Sequence, residues 1–220
     1  MDLQAIVFDF DGTIIDSEGT FLQSWVEEFE LYGAPWDPAA WLAAVGSYVP
    51  DWDPHAELAR IVGPGYDRPE SERRRRAREL ALVMATEPRP GVLDHLRAAR
   101  AAGVPLGVAT TSGADWVGGH LDRLGLSDYF TAVVSREDVR RVKPDPEPYR
   151  LACERLGAEP KAAVAIEDSR NGVLSATAAG LYCLAVANPI TTLQDLSPAD
   201  RRLESLAELD FAELAELPFR

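Results

Sequence analysis

Four short polar strings in this chain could do chemistry together. Asp9-Phe10-Asp11-Gly12-Thr13 follows the apolar run Ala5-Ile6-Val7-Phe8. Thr110-Thr111-Ser112-Gly113 follows Leu106-Gly107-Val108-Ala109. Val142-Lys143-Pro144-Asp145-Pro146 stands just before a helical segment, and Glu167-Asp168-Ser169 closes the run Ala162-Ala163-Val164-Ala165-Ile166. If one edge collects them, the carboxylates Asp9, Asp11, Glu167 and Asp168 cannot all stay ionised without compensation. A divalent cation resolves that repulsion, and all-oxygen ligands favour Mg²⁺. Lys143 adds a positive charge and Thr110 a hydroxyl donor. Cation, ammonium, hydroxyl and backbone amides together form a receptor for a dianionic phosphoryl group.

The elements that would bring them together are legible. The apolar runs, with Ala132-Val133-Val134 and Cys183-Leu184-Ala185-Val186, are short, continuous and bounded by Gly, Pro or polar residues. Buried parallel strands read that way. Amphipathic segments alternate with them: Val92–Ala102, Asp115–Leu124, Pro146–Leu156 and Asn171–Ala179, each followed at once by a glycine. The alternation predicts an α/β fold with a Rossmann-like parallel sheet and helices on both faces. Function in such a sheet gathers at the carboxyl ends of the strands, where the four strings fall. A last short strand is expected near Leu203 and a terminal helix over Phe211–Leu217.

Residues 17–88 break the rhythm. Helical stretches are expected over Glu18–Leu31, Pro38–Val45, Pro54–Ile61 and Pro69–Thr86, with no strand between them. The region reads as an inserted helical cap domain, so the core is expected to be 1–16 with 89–220. Pro88-Arg89-Pro90-Gly91 suits the second junction. The run Arg73-Arg74-Arg75-Arg76 has Glu70, Glu72 and Glu79 at helical spacing. It reads as a solvated helix face rather than a nucleic-acid patch. Trp36, Trp41, Tyr48 and Trp52 read as insert core, with a pocket lining as the alternative.

Composition sets the bounds. The chain has 220 residues, 22 basic against 36 acidic, and a formal charge of −14. That balance argues against nucleic acid and against docking on anionic membrane. No apolar run approaches the ~20 residues of a membrane span, and the N-terminal stretch lacks signal-peptide character. Cys153 and Cys183 read as buried free thiols, which places the expected compartment in the reducing cytoplasm. His55, His95 and His120 are scattered and give no zinc spacing. Only two of the basic residues are lysines, Lys143 and Lys161. A compact ammonium suits a point contact beside a carboxylate where a forked guanidinium does not.

The four strings, in this order, resemble the motifs of the haloacid dehalogenase superfamily of hydrolases. Asp9 to Glu18 resembles the first motif, Thr110 the second, Lys143-Pro144 the third and Glu167-Asp168-Ser169 the fourth. The likeness covers essentially the whole chain, and its detail resembles the beta-phosphoglucomutase-like branch. The resemblance implies a phosphatase acting on a small phosphorylated metabolite. Asp9 would be the nucleophile and Asp11 the acid and then the base. Mg²⁺ would be held by the Asp9 carboxylate, the Asp11 carbonyl and the Asp168 carboxylate, with Glu167 direct or through water. Thr110 and Lys143 would hold phosphate oxygens, Lys143 also restraining Asp9, with backbone amides near Phe10, Asp11 and Thr111. Ser17, at the cap junction, is a substrate contact or a turn former. Ser112 is expected to cap the helix that follows it. Asn171-Gly172 either orients Asp168 or simply starts a helix.

Other members of the superfamily set the alternatives. Mutases of this branch carry a histidine early in the first cap helix, where this chain has Phe21. They also use a cap arginine for the distal phosphate, and no Arg or Lys occurs from 19 to 59. Dehalogenases work without metal and generally lack the second aspartate, so Asp11 argues against that reading.

Overall fold

The computed structural model describes residues 3–38, 53–191 and 194–218. The chain divides into two compact units, Met1–Asp16 with Glu87–Arg220, and Ser17–Thr86. The second boundary falls two residues before the one read from the sequence.

The first unit is built on six parallel strands: β1 (Ala5–Phe8), β2 (Leu106–Ala109), β3 (Ala132–Val134), β4 (Ala163–Glu167), β5 (Tyr182–Val186) and β6 (Arg201–Leu203). Their order across the sheet is β3-β2-β1-β4-β5-β6. Every residue of β1, β2, β4 and β5 is buried, the signature of strands covered on both sides. The flanking helices are α4 (Val92–Ala102), α5 (Ala114–Arg123), α6 (Glu147–Leu156), α7 (Arg170–Ala179) and α8 (Phe211–Ala215). Small strand residues decide how closely helices approach. Ala5, Val7, Ala163, Ala165, Cys183 and Ala185 form one packed core with Tyr149, Ala152 and Cys153 of α6 and Val173 and Ala176 of α7. Burying those apolar side chains stabilises the unit by about 25 cal/mol per Å² removed from water. The expected last strand and terminal helix are β6 and α8.

Register matters most for function. Phe8 of β1 is level with Val108 of β2 and with Ile166 of β4. The next residues along, Asp9, Ala109 and Glu167, therefore stand side by side at one edge of the sheet.

The second unit contains α1 (Ser17–Leu31), α2 (Pro54–Val62) and α3 (Arg68–Met84). Asp53 and Asp67 cap α2 and α3 by accepting from the amides of His55 and Glu70, with a proline in each first turn. Trp25, Phe29, Ala34 and Leu58 form its core, with Phe21, Tyr32, Trp36 and Tyr66 against it. Trp36 meets Phe29 edge-on at 5.0 Å and so belongs to that core. Trp41, Tyr48, Trp52 and the helix expected over Pro38–Val45, apart from its first residue, lie outside the described residues.

The run Arg73 to Arg76 on α3 does not form one solvated face. Arg73 and Arg76 are exposed and pair with Glu70 and Glu72 along their own helix. Arg74 instead reaches across to the buried Glu28 of α1, with Nε 3.0 Å from Oε2. Arg75 is buried, donates to Ser24 and Glu79, and lies over the rings of Phe21 and Trp25. The helical period explains the split: neighbours along the sequence point about 100° apart, so two face α1 and two face solvent.

Candidate active site

β1 is followed at once by Asp9, whose amide donates to the Ile166 carbonyl of β4 at 2.8 Å. The chain must then turn sharply, because Ile14 N–H bonds back to the Phe10 carbonyl at 2.8 Å. Gly12 makes the turn at φ 80°, a conformation L side chains rarely adopt. Space forbids a side chain as well, since a Cβ there would lie 2.2 Å from Oδ2 of Asp168. Arg89 secures the loop from the second junction. Its guanidinium donates to the carbonyls of Gly12 and Ala187, and its amide donates to that of Ile14.

Lys143 is the electrostatic centre. Its Nζ lies 2.5 Å from Oδ1 of Asp9 and 2.5 Å from Oε1 of Glu167. All three side chains are buried. Tyr149, on the first turn of α6, donates its hydroxyl to the same Oε1 at 2.8 Å. The other oxygen of Glu167 accepts from the amides of Asp168 and Ser169 and from the Ser169 hydroxyl, at 3.1–3.2 Å. Asp168 accepts from Asn188 Nδ2 at 2.7 Å and from the Thr13 hydroxyl at 3.5 Å. Asn188 is locked in turn, its Oδ1 taking the amides of Ile190 and Thr191.

Asp9, Glu167 and Asp168 bring one carboxylate oxygen each within 4.8 Å of one another, the one acidic group among the described residues that could hold a metal ion. Three carboxylates face one ammonium, so the cluster carries excess negative charge. Burial pushes the Asp9 carboxyl well above the usual carboxylate range; Lys143 pulls it back, but Glu167 and Asp11 add to the rise. Burial would lower Lys143, yet Asp9 and Glu167 outweigh it and keep the ammonium charged. Burial, with Glu167 adding to it, raises the Tyr149 phenol, which therefore stays a donor. An all-oxygen set with uncompensated charge fits a hard divalent cation. Glu167 could meet such an ion only by yielding one of its present partners.

Asp11 sits apart from that cluster. Its Oδ2 accepts from the Ser112 hydroxyl at 2.5 Å and its Oδ1 from the Trp116 indole N–H at 3.0 Å. Thr110, buried at the end of β2, accepts the Ser112 amide at 3.0 Å. Thr111 is exposed beside it. Ser17 opens α1 of the second unit.

One expectation changes here. Ser112 does not cap the following helix. Gly113 occupies the N-cap position of α5, which frees the Ser112 hydroxyl for Asp11. Of the two readings of Asn171-Gly172, the helix start holds: both lie in the first turn of α7, Asn171 exposed and Gly172 giving the Glu167 carboxylate its room. Sequence reasoning also passed over Tyr149, Asn188, Trp116 and Arg89. Asn188 had a usable signal, since it follows the buried run of β5 as Asp9 follows β1.

Comparison with known proteins agrees with this geometry. The family model for haloacid dehalogenase-like hydrolases matches residues 3–180. The chain is 36% identical to YhcW of Bacillus subtilis (strain 168) over 214 residues, 97% of each protein. It is 32% identical to the validoxylamine A 7'-phosphate phosphatase of Streptomyces hygroscopicus subsp. limoneus over 212 residues, 92% of this chain and 94% of that one. Among solved structures, a haloacid dehalogenase family hydrolase of Deinococcus radiodurans R1 with bound phosphate and sodium superposes with a TM-score of 0.76 at 29% identity, covering 98% of this chain and 96% of that one. With its four motifs carried on one parallel sheet, the chain belongs to the haloacid dehalogenase-like hydrolase family.

Proposed function

We propose that this hydrolase is a Mg²⁺-dependent phosphatase of small phosphorylated metabolites that works through an aspartyl-phosphate on Asp9. The observation that carries the reading is the Lys143 ammonium set 2.5 Å from Asp9 and from Glu167, beside Asp168. A carboxylate is a weak nucleophile, but phosphoryl transfer depends on positioning and charge neutralisation more than on nucleophile strength. Lys143 supplies both, fixing the Asp9 carboxylate and offering positive charge to incoming phosphate oxygens.

In the first step an Asp9 oxygen bonds to phosphorus, the bond to the leaving oxygen breaks, and Asp11 delivers a proton to that oxygen. In the second, Asp11 takes a proton from water, the water oxygen bonds to phosphorus, and the bond to Asp9 breaks. Thr110 and the amide of Thr111 would meet phosphate oxygens, and Ser17 would meet the substrate. Asp9, Glu167 and Asp168, with the Asp11 carbonyl, would hold the cation. When bound, Mg²⁺ would offset the repulsion between Asp9 and the phosphate dianion.

Hydrolysis is favoured over phosphomutase chemistry by the charge distribution of the insert. A second phosphate needs a free cationic partner. No Arg or Lys occurs from 19 to 59, and Arg73 to Arg76 are each engaged with a glutamate. A small-molecule substrate accords with the validoxylamine phosphate relative. The two buried free thiols, Cys153 and Cys183, accord with a reducing compartment such as the cytoplasm. Among the described residues no helix is long and apolar enough to cross a membrane.

The test is phosphate release from a panel of phosphorylated metabolites with Mg²⁺ present. Release from sugar or other small phosphate esters is expected. Conversion of a sugar 1-phosphate to its 6-phosphate without release would overturn the reading.

A further inference from the structure

We infer that Trp116 and Ser112 are positioning residues that hold the Asp11 carboxyl in its proton-transfer orientation. The inference rests on the acid–base role proposed for Asp11 and deepens it. The two donors take opposite oxygens: Trp116 Nε1 lies 3.0 Å from Oδ1 and Ser112 Oγ 2.5 Å from Oδ2. A carboxyl gripped at both oxygens cannot turn about its terminal torsion, which is otherwise a broad, soft rotation. Indole is a donor only, so it fixes its oxygen as an acceptor.

Both donors are themselves held. Trp116 stands four residues before His120 on α5, one turn along the same face. The two rings meet edge-on at 4.4 Å, and the buried His120 also meets Phe10 at 6.2 Å. Ser112 donates its amide to Thr110 Oγ1 at 3.0 Å, and its carbonyl accepts the Arg136 amide at 3.1 Å. The clamp is thus tied to the end of β2 and to the turn after β3.

A misdirected acid matters only where the leaving oxygen needs a proton. An acidic phenol leaves as its anion; a weakly acidic one does not. Steady-state kcat/KM, which ends at release of the leaving group, is therefore measured on 4-nitrophenyl phosphate and on phenyl phosphate. Trp116→Phe keeps the ring on His120 and removes only the N–H. It should lose roughly tenfold on phenyl phosphate and less than about twofold on 4-nitrophenyl phosphate, a fraction of the full general-acid effect. Ser112→Ala should show the same selective loss, and Ser112→Thr should restore the wild-type ratio. Asp11→Asn marks the limit, with the largest selective loss. Equal losses on both esters, or none on either, in folded Trp116→Phe and Ser112→Ala would overturn the inference while leaving the phosphatase reading intact. A wild-type enzyme that releases phosphate neither from these esters nor from any metabolite of the panel would overturn the phosphatase reading itself, and the inference with it.

Discussion

Gly172 is the space into which the Glu167 carboxylate fits. A Cβ built on Gly172 would lie 1.8 Å from Cδ and Oε1 of Glu167 and 2.0 Å from Oε2. The glycine sits inside α7, where helix propensity disfavours it. Its occurrence there follows from packing: the carboxylate that anchors Lys143 needs the volume a methyl would take.

Gly172→Ala separates the two effects. Propensity alone would stabilise α7 by about 1 kcal/mol. The clash acts the other way, and Glu167 cannot swing clear without giving up Lys143, Tyr149 and two amides. A net destabilisation of about 2–4 kcal/mol is expected in chemical denaturation, with loss of turnover. A variant as stable as wild type would show that Glu167 moves freely.

Asp9→Asn tests the nucleophile. The amide is isosteric and keeps an oxygen for Lys143, so circular dichroism and thermal midpoint should stay near wild type. Turnover of 4-nitrophenyl phosphate should fall by 10³-fold or more, in the range of other lost nucleophiles (~10³–10⁶). Retained activity would remove Asp9 from that role.

How far the sequence alone leads depends on the kind of residue. Asp9, Thr110 and Glu167 were legible because each ends a buried apolar run, and strand ends share an edge. Lys143 was legible through its motif and through its rarity. Tyr149 was not, because a tyrosine on the apolar face of a helix reads as core until its hydroxyl is seen on Glu167. Trp116 was hidden for a similar reason: an indole's N–H direction follows from tertiary placement of α5, not from period. The inward turn of Arg74 and Arg75 was missed because Glu28 and Ser24, the residues of α1 they reach, lie on a different helix and are invisible to pairing rules within one helix. The strand order was also beyond the sequence, since period finds strands but not neighbours.

Metal removal should report on the acidic cluster in two ways. Dialysis against chelator is expected to stop turnover, and Mg²⁺ to restore it. Mg²⁺ should also raise the thermal midpoint, because an ion that binds only the folded state stabilises it by mass action. Asp168→Asn should lose that increment by differential scanning fluorimetry. Activity that survives chelation would remove the cation from the reaction.

The helical insert carries its own pH dependence, centred on Glu72. His55 lies 2.6 Å from Glu72 Oε2 through Nε2 and 2.5 Å from the Tyr66 hydroxyl through Nδ1. Partial burial would raise the Glu72 carboxyl, but His55, Arg76 and Arg75 outweigh it and bring it down to about 2. A depressed carboxylate contributes stability that is fully present above its unfolded value of 4.5 and is lost as pH falls toward 2. Discounted for partial exposure, that contribution is on the order of 1–2 kcal/mol. Glu72→Gln removes the titration while keeping the side-chain shape. The thermal midpoint between pH 5 and 2, followed by circular dichroism, should therefore fall less steeply in the variant. Parallel curves for the two proteins would show that Glu72 keeps an ordinary carboxylate affinity for protons.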